Sequence, residues 1–285
     1  MSKEVLPMEY TYADYQKMVK TIRKITDFTP EIGVVLGSGL GDFVKRVDVK
    51  ATIPYGKIPG MPVSTNVNHK GQFIFGNYEK KIPVILMQGR LHLYEGYSAR
   101  EVVAPIRVMG LLGAKKIVLT NAAGGVNTSF HPGDLMMIDD QIGCLVESPL
   151  RGANIDELGP RFPDMSDIYD IQETDLIVKK ARKKKLPIQR GTYMQFYGPQ
   201  YESKAEIRMA RTCGADSCGM STTGEAIAAN HMGLKVVGVS FISNMACGIT
   251  KEKLSDEEVI AVAEKSEKDI DALMKIILET LHDGH

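Results

Sequence analysis

The chain has 285 residues, 44% of them hydrophobic and 25% charged, a composition that suits a folded globular protein and excludes a disordered one. Lys+Arg and Asp+Glu both number 35, so the net charge is zero and nothing electrostatic points to nucleic acid or an anionic membrane. The first residues lack an apolar signal segment, no run spans a bilayer, and the four cysteines are scattered without a Cys-x-x-Cys pair, so a cytoplasmic protein with reduced thiols is expected rather than a disulfide or zinc scaffold.

Tyr15, Met18, Val19, Ile22 and Ile25 recur at helical spacing and predict an amphipathic first helix over residues 10–27. Residues 31–36 read as a strand running into Gly37-Ser38-Gly39-Leu40-Gly41-Asp42. A dinucleotide fingerprint would need a small residue where Asp42 stands, and no ribose-binding acid follows in a βαβ unit. The turn reads instead as backbone amides and the Ser38 hydroxyl approaching a single anion. Short strands and turns fill residues 53–80, with His69 just before an apolar strand at 72–76.

Residues 82–87 are an apolar run of strand length, and Gln88-Gly89-Arg90-Leu91-His92-Leu93-Tyr94-Glu95 leaves its end. Ligands of open α/β sheets bind outside the carboxyl ends of strands. An Arg fork beside an imidazole, two residues apart on one extended face, is a receptor for a phosphate-sized anion. Residues 99–114 predict a helix entered through Ser98, with Val102, Ile106, Met109 and Leu112 buried and a kink or late start at Pro105.

A strand at 116–120 leads into Asn121-Ala122-Ala123-Gly124-Gly125, small residues at a strand terminus over which a ligand can approach the backbone and more than a plain turn would need. Another strand is expected at 135–138, then a long irregular loop at 146–170 that is functional or bridges subunits. The lysine-rich end of a helix at 172–185 reads as a solvated C-terminus favoured by the macrodipole, not as a nucleic-acid patch. A strand at 191–197 is closed by Gly198-Pro199-Gln200-Tyr201-Glu202-Ser203, where Glu202 is either an acceptor beside an aromatic face or a cap for a helix at 203–212. Ser221, before a helix at 225–232, has the look of an ordinary N-cap. A buried strand at 236–243 ends at Asn244. The box Ser255-x-x-Glu258 opens a last helix striped by Val259, Val262, Ser266, Ile270, Leu273, Ile277 and Leu281. With no linker or repeat, the alternation predicts one mixed α/β domain over 1–285.

Five ordered motifs carry a family resemblance: Gly37-Ser38-Gly39-Leu40-Gly41, Gln88-Gly89-Arg90-x-His92-x-Tyr94-Glu95-Gly96, Thr120-Asn121-Ala122-Ala123-Gly124-Gly125, Gly198-Pro199-x-Tyr201-Glu202 and Gly219-Met220-Ser221-Thr222. Over nearly its whole length the chain resembles the trimeric purine nucleoside phosphorylases that act on 6-oxopurine nucleosides. The resemblance implies a phosphorylase-type fold, a central twisted mixed sheet flanked by helices, with no cofactor or metal, inorganic phosphate as co-substrate, and a homotrimer. It implies that Ser38, His69, Arg90, His92, the backbone at Ala122 and Ser221 hold phosphate. Tyr94, Met220 and Asp256 would line the ribose, with Phe162 reaching in from a neighbouring subunit. Ala123, Gly124, Tyr201, Glu202 and Asn244 would hold the purine, and Asn244, Glu202 and His92 would carry catalysis.

The residue types suit that chemistry. Phosphorolysis of an N-glycosidic bond passes through an oxocarbenium-like cation, with phosphate as nucleophile and counter-charge, so a desolvated dianion needs several donors at once. The departing purine gains negative charge, which the Asn244 amide can meet while Glu202 accepts from N1–H. The acid–base carboxylate pair of ordinary glycosidases is not evident. Related methylthioadenosine phosphorylases carry an acid at the position of Asn244, so the amide favours inosine and guanosine. Against the family pattern, Asp256 stands for a ribose-contacting His, Tyr201 for Phe, Met245 for a Lys found in some members, and Asp140 for His. A nucleoside-binding protein without turnover and a water-using hydrolase are the competing readings. The intact Arg90, His92, Glu202 and Asn244 weigh against the first, and the phosphate set weighs against the second.

Overall fold

Runs of Val, Ile and Leu at strand length pair in parallel and are buried on both faces, as crossover-connected strands must be. The computed structural model describes residues 10–66, 70–250, 261–262 and 264–284. Its strands are β1 (Ile32–Leu36), β2 (Val47–Pro54), β3 (Gln72–Tyr78), β4 (Ile82–Gln88), β5 (Lys116–Gly125), β6 (Leu135–Ile142), β7 (Ile188–Gln195), β8 (Ser217–Gly219) and β9 (Lys235–Met245). The helices are α1 (Tyr12–Arg23), α2 (Ala99–Val102), α3 (Ala104–Leu111), α4 (Ile171–Lys183), α5 (Lys204–Thr212), α6 (Thr223–His231) and α7 (Glu267–Asp283).

The strands form one mixed sheet in the order β2-β3-β4-β1-β5-β8-β7-β6-β9, and β9 returns to pair with β5. Strands β5, β8, β7, β6 and β9 therefore close into a ring, and β1, β4, β3 and β2 extend from it as an open wing. Along β1, Val35 packs into the core under α1, α3 and α6, whereas Ile32, Val34 and Leu36 pack into the core under α4 and α7. This period of two is what a strand covered on both faces requires. The expected single-domain α/β fold, a central mixed sheet flanked by helices, is the one observed.

Three local expectations change and one is met. Helix α1 is entered through a Thr11–Asp14 capping box and ends at Arg23, so Ile25 leaves the buried face and is 55% exposed. The kink or late start expected at Pro105 is observed: the helix over 99–114 breaks at Val103, which puts Pro105 in the first turn of α3, where its missing N–H costs nothing. The strand expected to end at Thr120 runs on through 121–125, because β9 pairs alongside β5 as far as Gly125 and Met245, with an irregularity at Ala123/Gly124. The last helix is interrupted by a turn at Ser266; its expected cap at Ser255 and Glu258, and Val259, lie outside the described residues. No regular helix or strand occupies residues 143–170, as expected of the long loop.

Candidate active site

Strand register brings the singled-out residues to one place. In the parallel array β4-β1-β5-β9, Leu36 pairs with Gln88, Val35 with Leu119, Ala122 with Phe241 and Gly124 with Asn244. Ser38, Arg90, Ala122 and Asn244 consequently leave the same carboxyl edge, where the small residues of β5 keep the surface open. Gly37 is required for this: a Cβ there would lie 2.8 Å from the Thr120 carbonyl oxygen and the Asn121 Cα, both backbone atoms that cannot yield. The Gly37 amide donates to the Thr120 hydroxyl at 2.9 Å, and Ser38 beyond it is exposed.

Arg90 is almost wholly buried, 2% exposed. Its Nε and Nη2 donate to the two Glu225 oxygens at 3.2 and 2.7 Å, and Nη1 donates to the Thr120 carbonyl at 2.6 Å. The guanidinium is thus fixed in plane by a carboxylate from α6 and a carbonyl from β5. A buried ion pair of this kind survives desolvation only with such two-point geometry. Ser221 does not cap α6. Its hydroxyl lies 3.1 Å from that of Thr222, which in turn accepts from Asn121 Nδ2 at 2.9 Å, so the segment folds back over the small residues of β5. Thr222 pays for this with φ at +84°, a left-handed conformation that β-branched residues avoid. Gln195 caps the helix in its stead, accepting from the Thr223 amide at 3.0 Å.

Beyond Arg90 the chain makes a short turn held by Glu95. One Glu95 oxygen accepts from the His92 amide at 2.8 Å and lies 3.1 Å from His92 Nδ1; the other accepts from the Ser64 and Thr65 side chains and the Thr65 amide. Burial of Glu95 opposes ionisation, but these bonds from His92 and Thr65 outweigh it and hold the carboxyl down at about 2. A carboxylate at Nδ1 places the Nδ1 proton on His92 and turns Nε2 the other way. The His92 ring stacks on Tyr94 at 4.5 Å, and the Tyr94 hydroxyl accepts from Asn66 at 3.1 Å. A cleft lined by His92, Gln195, Met220, Ser221 and Glu225 joins this turn to the start of α6. Gly198 lies between Met220 and Tyr94, close enough that a Cβ there would meet both side chains.

The second half of the site is a donor–acceptor pair. Gly124 pairs with Asn244 on one side and Cys218 on the other, so β9, β5 and β8 present Asn244, Gly124 and Cys218 in one row. Asn244 is buried; its Nδ2 reaches the Ser243 hydroxyl at 3.4 Å, and that hydroxyl donates to the Ala123 carbonyl. Glu202 is also buried, and among the described residues its Oε1 has no hydrogen-bond partner. Burial pushes the Glu202 carboxyl up, its own amide and the Cys218 thiol pull the other way, and Glu206 adds a smaller push. Ser203, with Glu206, caps α5, which leaves Glu202 for another task. Tyr201 beside it is 39% exposed.

Chemically, the edge offers a fixed guanidinium, an imidazole and hydroxyls for an anion, and, a few strands away, a carboxylate acceptor and an amide for a polar heterocycle. Phe162 stands apart, 87% exposed, with the Arg161 guanidinium 5.5 Å from its ring centre. His69 and Asp256 lie outside the described residues. Sequence reasoning missed Glu225, Glu95 and Thr120 as partners of Arg90 and His92. Thr222-x-x-Glu225 imitates a capping box, which hides an ion pair whose members are 135 residues apart. Among the described residues no cluster of His, Cys, Asp or Glu could hold a metal ion, and no helix is long and apolar enough to cross a membrane.

Comparison with known proteins matches residues 31–279 to the Phosphorylase superfamily. Purine nucleoside phosphorylase 1 of Bacillus subtilis is 47% identical over 250 residues, 88% of this chain and 92% of that protein. The crystal structure of Schistosoma mansoni purine nucleoside phosphorylase in complex with inosine superposes with a TM-score of 0.88 at 37% identity, covering 94% of this chain and 96% of the other. Its complex with adenosine gives the same TM-score and identity, covering 94% and 97%.

Proposed function

The chain belongs to the purine nucleoside phosphorylase family of the phosphorylase superfamily, and we propose that the described edge is its active site. The protein catalyses reversible phosphorolysis of purine nucleosides, inosine and guanosine foremost, to the free base and (deoxy)ribose 1-phosphate. Phosphate is co-substrate, and no metal or cofactor takes part. Arg90, His92, Ser38, Ser221 and the backbone at Ala122 hold the phosphate dianion, with His69 added on the resemblance alone. Glu225 and Glu95 are positioning residues: the first aims the guanidinium, the second the imidazole.

Tyr94 and Met220, which converge on Gly198, flank the ribose, and Asp256 takes its 5′ end on resemblance alone. Tyr201, Ala123 and Gly124 frame the purine. Glu202 accepts from N1–H, and Asn244 donates toward N7 and O6 as negative charge grows on the leaving base. A donor that strengthens as charge develops stabilises the transition state more than the ground state. The observation that carries this reading is the buried Glu202 Oε1, which has no partner among the described residues and is an acceptor that a ligand N–H would satisfy. The exposed Phe162 on the long loop supports a homotrimer in which it closes a neighbour's ribose site, and the balanced charge and scattered cysteines support a cytoplasmic protein.

The direct test follows inosine conversion to hypoxanthine with and without phosphate, beside adenosine and methylthioadenosine. Strict phosphate dependence with ribose 1-phosphate as product, and preference for inosine, is the expected result. Cleavage without phosphate would replace phosphorolysis by hydrolysis. Preference for the 6-amino substrates would remove the role given to Asn244 and favour a methylthioadenosine-type enzyme.

A further inference from the structure

Away from the active site, α1, α3, α6 and the 149–158 segment line a partly open cavity of about 20 Å³, bordered by Tyr15, Arg100, Arg107, Leu150, Asn154 and His231 among others. Arg107 is 4% exposed. Its only hydrogen bonds among the described residues leave from Nη1, to the Ala228 carbonyl at 2.8 Å and to His231 Nδ1 at 2.9 Å. Nε and Nη2 are left over. His231 is held as the neutral Nε2–H tautomer, because Nδ1 accepts from Arg107 while Nε2 lies 3.0 Å from the Pro160 carbonyl. The other guanidinium at the cavity, Arg100, is turned onto the carbonyls of Arg151 and Ala153.

Charge is the anomaly. No carboxylate lines the cavity among the described residues, and the ionisable groups acting on Arg107 are Tyr15 and the like-charged Arg100. Burial pushes the Arg107 guanidinium down to about 10, which leaves it charged at neutral pH. A buried cation without a counter-charge is costly, and buried charges are ordinarily paired. A volume of about 20 Å³ suits one small species. A water would meet the remaining donors but not the charge.

We propose that this cavity is a binding site for a small monovalent anion of halide size, chloride in the cell, with Arg107 as its principal ligand and Tyr15 and Arg100 beside it. The ion bonds the 149–160 segment to α3 and α6, because Arg107 also holds His231, and His231 holds Pro160.

Two measurements on the full-length protein in saturating phosphate test this, so that the active-site anion position is already filled. Crystals grown in sodium bromide should show an anomalous peak within hydrogen-bonding distance of Arg107. Replacing gluconate by chloride at constant ionic strength should raise Tm by about 3 °C at ten times the dissociation constant. In Arg107→Gln that increment disappears, and in Tyr15→Phe, which keeps the cation, it shrinks. The wild-type crystal experiment decides the matter even if Arg107→Gln fails to fold. A water without anomalous signal, a carboxylate of a neighbouring subunit against Arg107, or a Tm indifferent to chloride would each overturn the proposal. Loss of phosphorolysis would not bear on it, since neither readout uses catalysis.

Discussion

At Asn244 and Glu202 the two halves of base recognition can be separated. Asn244→Ala removes a donor that matters most when charge reaches the purine, so kcat/KM for inosine should fall about a hundredfold or more, ~3 kcal/mol of transition-state stabilisation. The fall should appear in kcat. Glu202 behaves differently because burial raises its pKa in the folded protein. It must lose its proton to accept N1–H well, so the acid limb of kcat/KM should lie above the ordinary carboxylate range and vanish, with most activity, in Glu202→Gln. The sign for stability is opposite: a raised carboxyl destabilises the empty protein as pH rises through the interval between the unfolded and folded pKa values. Melting curves of Glu202→Gln should therefore show less loss across that interval than the wild type. Glu225→Ala removes the carboxylate that holds the nearly inaccessible Arg90 guanidinium, and breaking a buried pair from one side costs about 3–5 kcal/mol. Denaturant unfolding should register that loss, and the KM for phosphate should rise more than the KM for inosine.

The strand edges and short turns decide how such side chains are aimed. Glu95 ties the His92–Tyr94 turn to Ser64 and Thr65, and its carboxyl drops from an ordinary 4.5 to about 2. A depressed carboxyl contributes stability above its unfolded pKa and loses it as pH falls toward the folded one. Melting temperatures between about pH 4.5 and 2 should fall more steeply in wild type than in Glu95→Gln, which should already be less stable at neutral pH. Much of this element scale was legible in the sequence: runs at 32–36, 82–87 and 236–243 announce buried strands, and Arg90 and His92 follow one of them. What stayed hidden depends on pairing between distant segments. The apolar run gives a strand end at Thr120, yet β9 supplies hydrogen bonds that keep Asn121–Gly125 in the sheet. Ser221 and Thr222 look like caps, yet Gln195 caps the helix and frees both hydroxyls for the β5 edge. Ile25 keeps helical spacing beyond a helix that has already ended at Arg23.

In the whole molecule the closed ring of β5, β8, β7, β6 and β9 carries the proposed base position, the adjoining wing strands β1 and β4 carry the proposed phosphate donors Ser38, Arg90 and His92, and the proposed ribose side is left to loops. A large aromatic held out at 87% exposure on the irregular 143–170 loop makes no sense for a single chain whose proposed ribose site also needs covering. The homotrimer proposed above resolves this by placing Phe162 in the neighbouring site, and the placement has a consequence that a role within one chain lacks. Phe162→Ala retains an intact Asn244 but no longer covers its neighbour; Asn244→Ala retains Phe162 but cannot stabilise its own leaving group. Each homotrimer should be weak. When the two are dissociated and reassembled together, some sites combine the intact Asn244 of one chain with Phe162 of the other, so inosine phosphorolysis should rise well above the sum of the parents. Sedimentation before and after mixing must report a trimer. If activity stays additive while subunits exchange, Phe162 acts within its own chain, and the long loop serves only its own site.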